Sequence, residues 1–99
     1  MKAAARLRIF KEAFKWYRAA ATGGDVHAQY NLGFMYANAK GTAKDLVRGG
    51  MWWDVASGNG SAEAWASLDA IARLMSKEQI AQAQAMARNC RGSGYKECN

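Results

Sequence analysis

Apolar residues recur at helical spacing through most of the chain, with glycines between the runs. Leu7, Phe10, Phe14 and Tyr17 fall on one stripe, with Ile9, Ala13, Trp16 and Ala20 beside it and Arg8, Lys11, Lys15 and Arg18 opposite. That pattern predicts an amphipathic helix from about Ala3 to Thr22. Gly23-Gly24 ends it, because glycine takes the left-handed conformation of a helix terminus without steric cost, and Asp25 caps the next helix. This second helix, about Val26 to Ala37, turns Ala28, Leu32 and Met35 or Tyr36 inward, while Gly33 lets a neighbouring backbone come close. Asn38 to Asp45 reads as a loop turning at Gly41. A third helix, about Leu46 to Ser57, contains Gly49-Gly50, an interior pair that costs about 2 kcal/mol relative to alanine. Either that helix starts late or a neighbouring group fills the space. Gly58-Asn59-Gly60 closes it, and Ser61 opens a fourth, about Ala62 to Met75, with Ala64, Leu68, Ile71 and Met75 inward. Ser76-Lys77-Glu78-Gln79 is a capping box that starts a fifth helix reaching about Asn89, with Ile80, Ala83, Ala87 and Cys90 as packing residues. Arg91 to Asn99 is turn-like.

The chain matches itself at an offset of 36 residues: Trp16-Tyr17 falls on Trp52-Trp53, Ala20 on Ala56, Gly24 on Gly60, Ala28 on Ala64 and Leu32 on Leu68. Self-similarity at such a period is the mark of a helical solenoid, in which each unit buries its apolar face against its neighbours. The expected fold is therefore all-α, a short solenoid of antiparallel helix pairs with about five helices. One domain spans 1–99: a partial repeat over 1–24, a full repeat over 25–60, a partial repeat over 61–75, a capping helix over 76–91 and a tail over 92–99.

Composition narrows the class. A hydrophobic fraction of 51% with four tryptophans and no proline argues for a folded helical chain. No apolar run approaches the roughly 20 residues that span a bilayer, and Arg6 and Arg8 stand where a signal peptide needs its apolar centre. The net charge is +6 and uneven, since Lys2, Arg6, Arg8, Lys11, Lys15 and Arg18 face only Glu12 in the first 18 residues, which hold five of the six net charges. A basic patch of Arg8, Lys11, Lys15 and Arg18 is either a solvated helix face or an anchor for anionic membrane or nucleic acid. Groove-reading and base-stacking signatures of nucleic-acid modules are missing.

Trp16-Tyr17-x-x-Ala20-x-x-x-Gly24, Ala28-x-x-x-Leu32-Gly33-x-x-Tyr36, Asp45 and Met51-Trp52-Trp53-x-x-Ala56-x-x-x-Gly60 resemble the Sel-one-like repeat, a tetratricopeptide-like helical hairpin of similar period. The resemblance covers residues 14–75, and Met75-Ser76-x-x-Gln79-Ile80-x-x-Ala83-Gln84 resembles the terminal helix of many bacterial members. Ala39, Thr42 and Ala43 stand where the family usually has glycine, valine and often proline, and Gly49 replaces an alanine. The resemblance also makes the first helix the second member of a hairpin whose first member lies outside this sequence. Leu7, Phe10, Phe14 and Tyr17 would then form an open edge suited to self-association or to another helix.

Candidate chemistry is sparse. Trp16, Tyr17, Trp52 and Trp53 sit at matching positions and read as core, whereas Trp65 aligns with Gln29 and reads as an exposed aromatic. His27 is the only histidine, without the companions a zinc site needs. A Cys90 nucleophile activated by His27 lacks an orienting third group, and no phosphate loop, serine elbow or carboxylate pair is present. No catalytic residue, metal or cofactor is expected. Cys90 and Cys98 are spaced so that a turn can join them, although a reducing compartment would keep both as thiols. The pair resembles that of extracytoplasmic family members, which implies a disulfide-closed tail and a periplasmic or secreted setting; a cytoplasmic setting is the alternative.

The resemblance implies a short right-handed α-α superhelix and a non-catalytic protein–protein interaction module, a scaffold or adaptor whose concave groove receives a peptide or helix. Carried over by position, the groove residues are His27, Tyr30, Asn31, Phe34 and Asn38, with Glu63, Ser67 and Ala70 one unit on. Membrane or nucleic-acid anchoring through the basic first helix is the alternative, and a cell-wall-related enzyme a third.

Overall fold

Five helices follow one another: α1 (Lys2–Thr22), α2 (Val26–Ala37), α3 (Leu46–Gly58), α4 (Ala62–Ala72) and α5 (Lys77–Gly92). The computed structural model describes residues 2–98, and their side chains from Ala5 on. Met1 and Asn99, the ends of the expected first partial repeat and tail, and the Lys2 side chain of the basic stretch lie outside the described residues. No strand occurs among the described residues, and the protein is all-α.

Side-chain caps set the helix starts. Asp25 accepts the Ala28 amide at 2.9 Å, Asp45 the Arg48 amide at 2.9 Å and Ser61 the Ala64 amide at 3.0 Å. The capping box is formed, with Gln79 N donating to Ser76 Oγ at 3.1 Å and Ser76 N to Gln79 Oε1 at 2.9 Å. α4 ends at Ala72, short of the expected Met75, because the Leu74 and Met75 amides bond back to Ile71 and Ala72 in a tight turn that delivers Ser76 directly as the next cap. Met75 is still buried, whereas Leu74 is 76% exposed.

Two turns in the chain are built alike. After α1, Gly24 N bonds Ala21 O and Asp25 N bonds Ala20 O, both at 3.0 Å; after α3, Gly60 N bonds Ser57 O and Ser61 N bonds Ala56 O, both at 3.0 Å. Gly24 and Gly60 have φ of 98° and 99°. Each is a Schellman closure in which the residue after the left-handed glycine also caps the following helix, so the two helices must reverse direction with no slack. After α2 the left-handed residue is Ala39, with φ of 54°, and Lys40 N bonds Met35 O at 2.9 Å.

α2 lies between α1 and α3, and α3 carries both α4 and α5. The α2–α3 contact is the closest. A Cβ on Gly33 would stand 2.6 Å from the Trp53 ring, and one on Gly49 would stand 3.1 Å from the Gly33 carbonyl oxygen. The Trp53 indole N–H donates to Tyr30 O at 3.0 Å, and the two rings stack 6.3 Å apart. This resolves the glycine pair of α3, which begins at Leu46 as expected. Gly49 admits the α2 backbone, and Gly50 faces Met75 and the Ala83 methyl of α5 at ordinary contact distance. The alanine face of α5, Ala83 and Ala87, is buried with Cys90.

The tryptophans divide. Trp52 and Trp53 are 2% and 6% exposed, but Trp16 and Tyr17 are 76% and 37% exposed, contrary to the expectation that all four pack. α3 has helices on several sides, whereas α1 packs principally against α2. Phe14 does not join an open edge: it meets Tyr36 edge-to-face at 5.3 Å and lies against the core. Leu7 and Ile9 are exposed.

One polar core residue escaped the hydrophobic pattern. Gln29 is fully buried, donates to Ala21 O at 3.2 Å and accepts from Asn59 Nδ2 at 2.9 Å; that same Asn59 amide reaches Tyr95 Oη at 3.0 Å. The network ties the ends of α1 and α3 to α2 and to the tail, and among the described residues no buried side-chain nitrogen or oxygen lacks a hydrogen-bond partner.

Single-residue changes separate these roles. Gly33→Ala should displace the Trp53 ring and cost roughly 2 to 4 kcal/mol, whereas Gly50→Ala should stabilise by about 0.5 to 1 kcal/mol through helix propensity; urea denaturation gives both signs. Ala39→Gly should stabilise by about 1 kcal/mol, because it removes the side-chain penalty of a left-handed backbone, which calorimetry would read as a higher Tm.

Candidate functional site

A groove of about 380 Å³ opens between α2 and α4. Its α2 wall carries Tyr30, Phe34 and Ala37, its α4 wall Ser67, Ala70 and Ile71, with Leu46 and Trp53 between them and Leu74 and Lys44 at the rim. The helical offsets of four that place Tyr30 and Phe34 on one line also turn them away from Leu32 and Tyr36, which face the core. Phe34 is 44% exposed, a large aromatic held at the surface by a rigid helix. Trp53 is fixed from below by Gly33 and Tyr30, so the floor is preorganised.

Lys44 is the sole charged residue among those lining the groove. Its neighbour Asp45 holds the loop: burial raises the Asp45 pKa, but the Arg48 amide and guanidinium, the latter at 2.7 Å, outweigh it and keep the carboxyl below its ordinary range. The phenol of Tyr36, beneath the same loop, is pushed up by burial against the opposing pull of Arg18 and Arg48.

Of the residues expected in a groove, Tyr30, Phe34, Ser67 and Ala70 come together. Asn31 turns to the other side of α2, into a separate cavity of about 280 Å³ shared with Phe10, Tyr17 and Lys40. There the Lys40 ammonium lies 5.2 Å from the centre of the Phe10 ring. Asn38 donates its side-chain amide to Phe34 O at 2.9 Å and so closes its own helix. His27 and Glu63 are exposed at the helix starts and line none of these cavities. Leu46, Ile71 and Leu74 were missed. Leu74 lies four residues after Ala70 and seven after Ser67 on one helical stripe, a register that could have found it.

Arg8, Lys11, Lys15 and Arg18 are all exposed on α1. Cys90 and Cys98 form a disulfide, and both are buried, 0% and 4% exposed, within the core cluster that contains Leu32 and Trp52. The Cys90 sulfur is thus bonded and enclosed rather than free beside His27. The tail is held further by Tyr95 N to Cys90 O at 2.8 Å and Glu97 N to Ser93 Oγ at 2.8 Å. Such a bond is compatible with an oxidising extracellular compartment. Among the described residues, no helix is long and apolar enough to cross a membrane, and no three His, Cys, Asp or Glu side chains gather to hold a metal ion.

A stretch of 48 residues is 38% identical to chitin synthase regulator SKT5 of Saccharomyces cerevisiae; it covers 48% of this chain and 7% of that protein. No protein-family model matches the chain, and no solved structure matches it.

Opening the disulfide by Cys98→Ser should destabilise the protein by about 2 to 3 kcal/mol, the loop-closure value for so small a ring. Chemical denaturation with and without reductant would check it, since reductant should lower the midpoint of the unsubstituted protein and leave the variant unmoved.

Proposed function

We propose that this chain is a non-catalytic protein–protein interaction module of the Sel-one-like, tetratricopeptide-like kind, taking an apolar side chain of a peptide or helix in the groove between α2 and α4. One observation carries the reading: Phe34 stands half-exposed over a preformed apolar floor, with Tyr30, Ser67 and Ala70 converging on it. Anchoring aromatics in a rigid pocket supply most of the energy of such contacts, while a rim charge such as Lys44 selects acidic neighbours in the bound segment. The right-handed superhelical arrangement belongs to the same proposal, supported by the hydrogen-bond identity of the turns at Gly24 and Gly60. A periplasmic or secreted setting is supported by the buried disulfide.

Peptides selected from a random displayed library on the folded protein provide a test. Those that bind the groove should lose at least tenfold in affinity for Phe34→Ala, about 1.4 kcal/mol, with helicity by circular dichroism unchanged, and should be indifferent to Trp65→Ala. Selected peptides that ignore Phe34 would remove the groove from consideration.

A further inference from the structure

Phe34 is shared by two cavities. It lines the groove of about 380 Å³ between α2 and α4, and it also lines the cavity of about 280 Å³ between α1 and α2, with Ile9, Tyr17 and Asn31. On α2 its register is opposite that of the core-facing Leu32 and Tyr36, so the half-exposed ring forms a crest with an apolar hollow on either flank. Each hollow has one charged residue in its lining, Lys44 in the first and Lys40 in the second, both from the loop that follows α2. Both lysines are exposed. Among the described residues neither pairs with a carboxylate, since Asp45, Asp54 and Asp69 are held by Arg48, Arg91 and Arg73. The one contact of the Lys40 ammonium is the Phe10 ring.

The walls of both hollows are helices, and that limits what can lie across them. Helical main chain spends its N–H and C=O groups within itself. The Asn38 carboxamide, a group able to hold a peptide backbone, donates instead to Phe34 O at 2.9 Å. Tyr17, Tyr30, Asn31 and Ser67 are the uncharged polar side chains that remain, too few to replace the regular ladder an extended segment needs. An extended segment laid over Phe34, Ala37, Ala70 and Ile71 would lose water from its own amides and find no partners for them. A helix arrives with those bonds already made.

Taking the α2–α4 groove as the binding site, on the reading given above, we propose that its occupant is an amphipathic α-helix of a partner protein, acidic at one end and lying across Phe34. One apolar side chain of that helix enters the α2–α4 groove, and a second, one turn away on the same face, enters the α1–α2 cavity. Residues four apart on a helix share a face, so the pair straddles the Phe34 ring as ridges straddle a groove. The acidic end meets Lys40 and Lys44, which supply the opposite charge. The same two cations favour the negative, C-terminal end of the bound helix.

Two displayed peptide libraries of equal length supply the probes. One is an alanine- and glutamate-rich helix randomised at i, i+3, i+4 and i+7; the other carries proline at every third position, which holds it extended. Binders selected on the folded protein should come from the helical library and lose at least tenfold in affinity when proline replaces a central residue. Phe34→Ala should weaken them at least tenfold, and Ile9→Ser, at an exposed position lining the second cavity, about threefold, with circular dichroism unchanged in both variants. Lys44→Glu should also weaken them at least tenfold, and lysine in place of the binder's acidic residue should restore affinity, which a merely structural role for Lys44 would not allow. Phe34-dependent binders that come from the proline library, tolerate a central proline or ignore Ile9→Ser would overturn this inference and leave the groove reading standing. So would a Lys44→Glu loss that charge reversal in the binder does not recover. Binders from neither library depending on Phe34 would overturn both.

Discussion

The Trp53 indole lying on the bare backbone of Gly33 is the contact that positions everything else. It requires a missing side chain on α2 and a large flat one on α3, and it brings the helices close enough that Gly49 meets the Gly33 carbonyl. Helices usually pack 8 to 10 Å apart, so small residues at a crossing draw the backbones toward the close end of that range. The indole N–H then finds Tyr30 O at 3.0 Å, which removes the cost of burying a donor and fixes the ring's orientation. From that pair follow the floor of the α2–α4 groove, the outward angle of Phe34 and the direction in which α3 offers its other faces to α4 and α5. The same contact explains why two glycines persist inside α3 despite their helix propensity: Gly49 serves α2, and Gly50 serves Met75 and the Ala83 side of α5.

Most of the fold could be read from the residues because its signals are local. The caps at Asp25, Asp45, Ser61 and Ser76 each depend on one oxygen and an amide three residues on, and each forms. Helix ends were less legible where the stop depends on the next element, as at α4, whose last expected turn is given up so that Ser76 can cap α5. Burial was least legible. Gln29 is fully enclosed because Ala21 and Asn59 happen to offer partners from two other elements, which no periodicity records. Trp16 carries the same local pattern as Trp52 and differs from it by 74 percentage points in exposure, being 76% against 2% exposed. The cause lies wholly in which helices stand next to α1 and α3.

The candidate groove shows the same division. Tyr30, Phe34, Ser67 and Ala70, carried over by position from the resemblance, meet in one groove. Two of the expected residues did not join them: Asn38, after the end of α2, is drawn back to the Phe34 carbonyl, and Asn31, in the middle of that helix, lines the cavity on the α1 side. Side chains at termini answer to orphan backbone groups before they answer to a ligand.

Burial is least complete on α1 and α4, where Leu7, Ile9, Trp16 and Trp65 are exposed. The α4 end keeps small and acidic residues around an apolar cavity, and the α1 end keeps aromatics among cations. α5 relieves only part of the first defect, since its alanine face turns to α3 and its disulfide-closed tail runs back toward the Gly24 turn through Tyr95. That arrangement commits α5 to α3, the element that holds Trp53, and leaves Trp65 of α4 exposed.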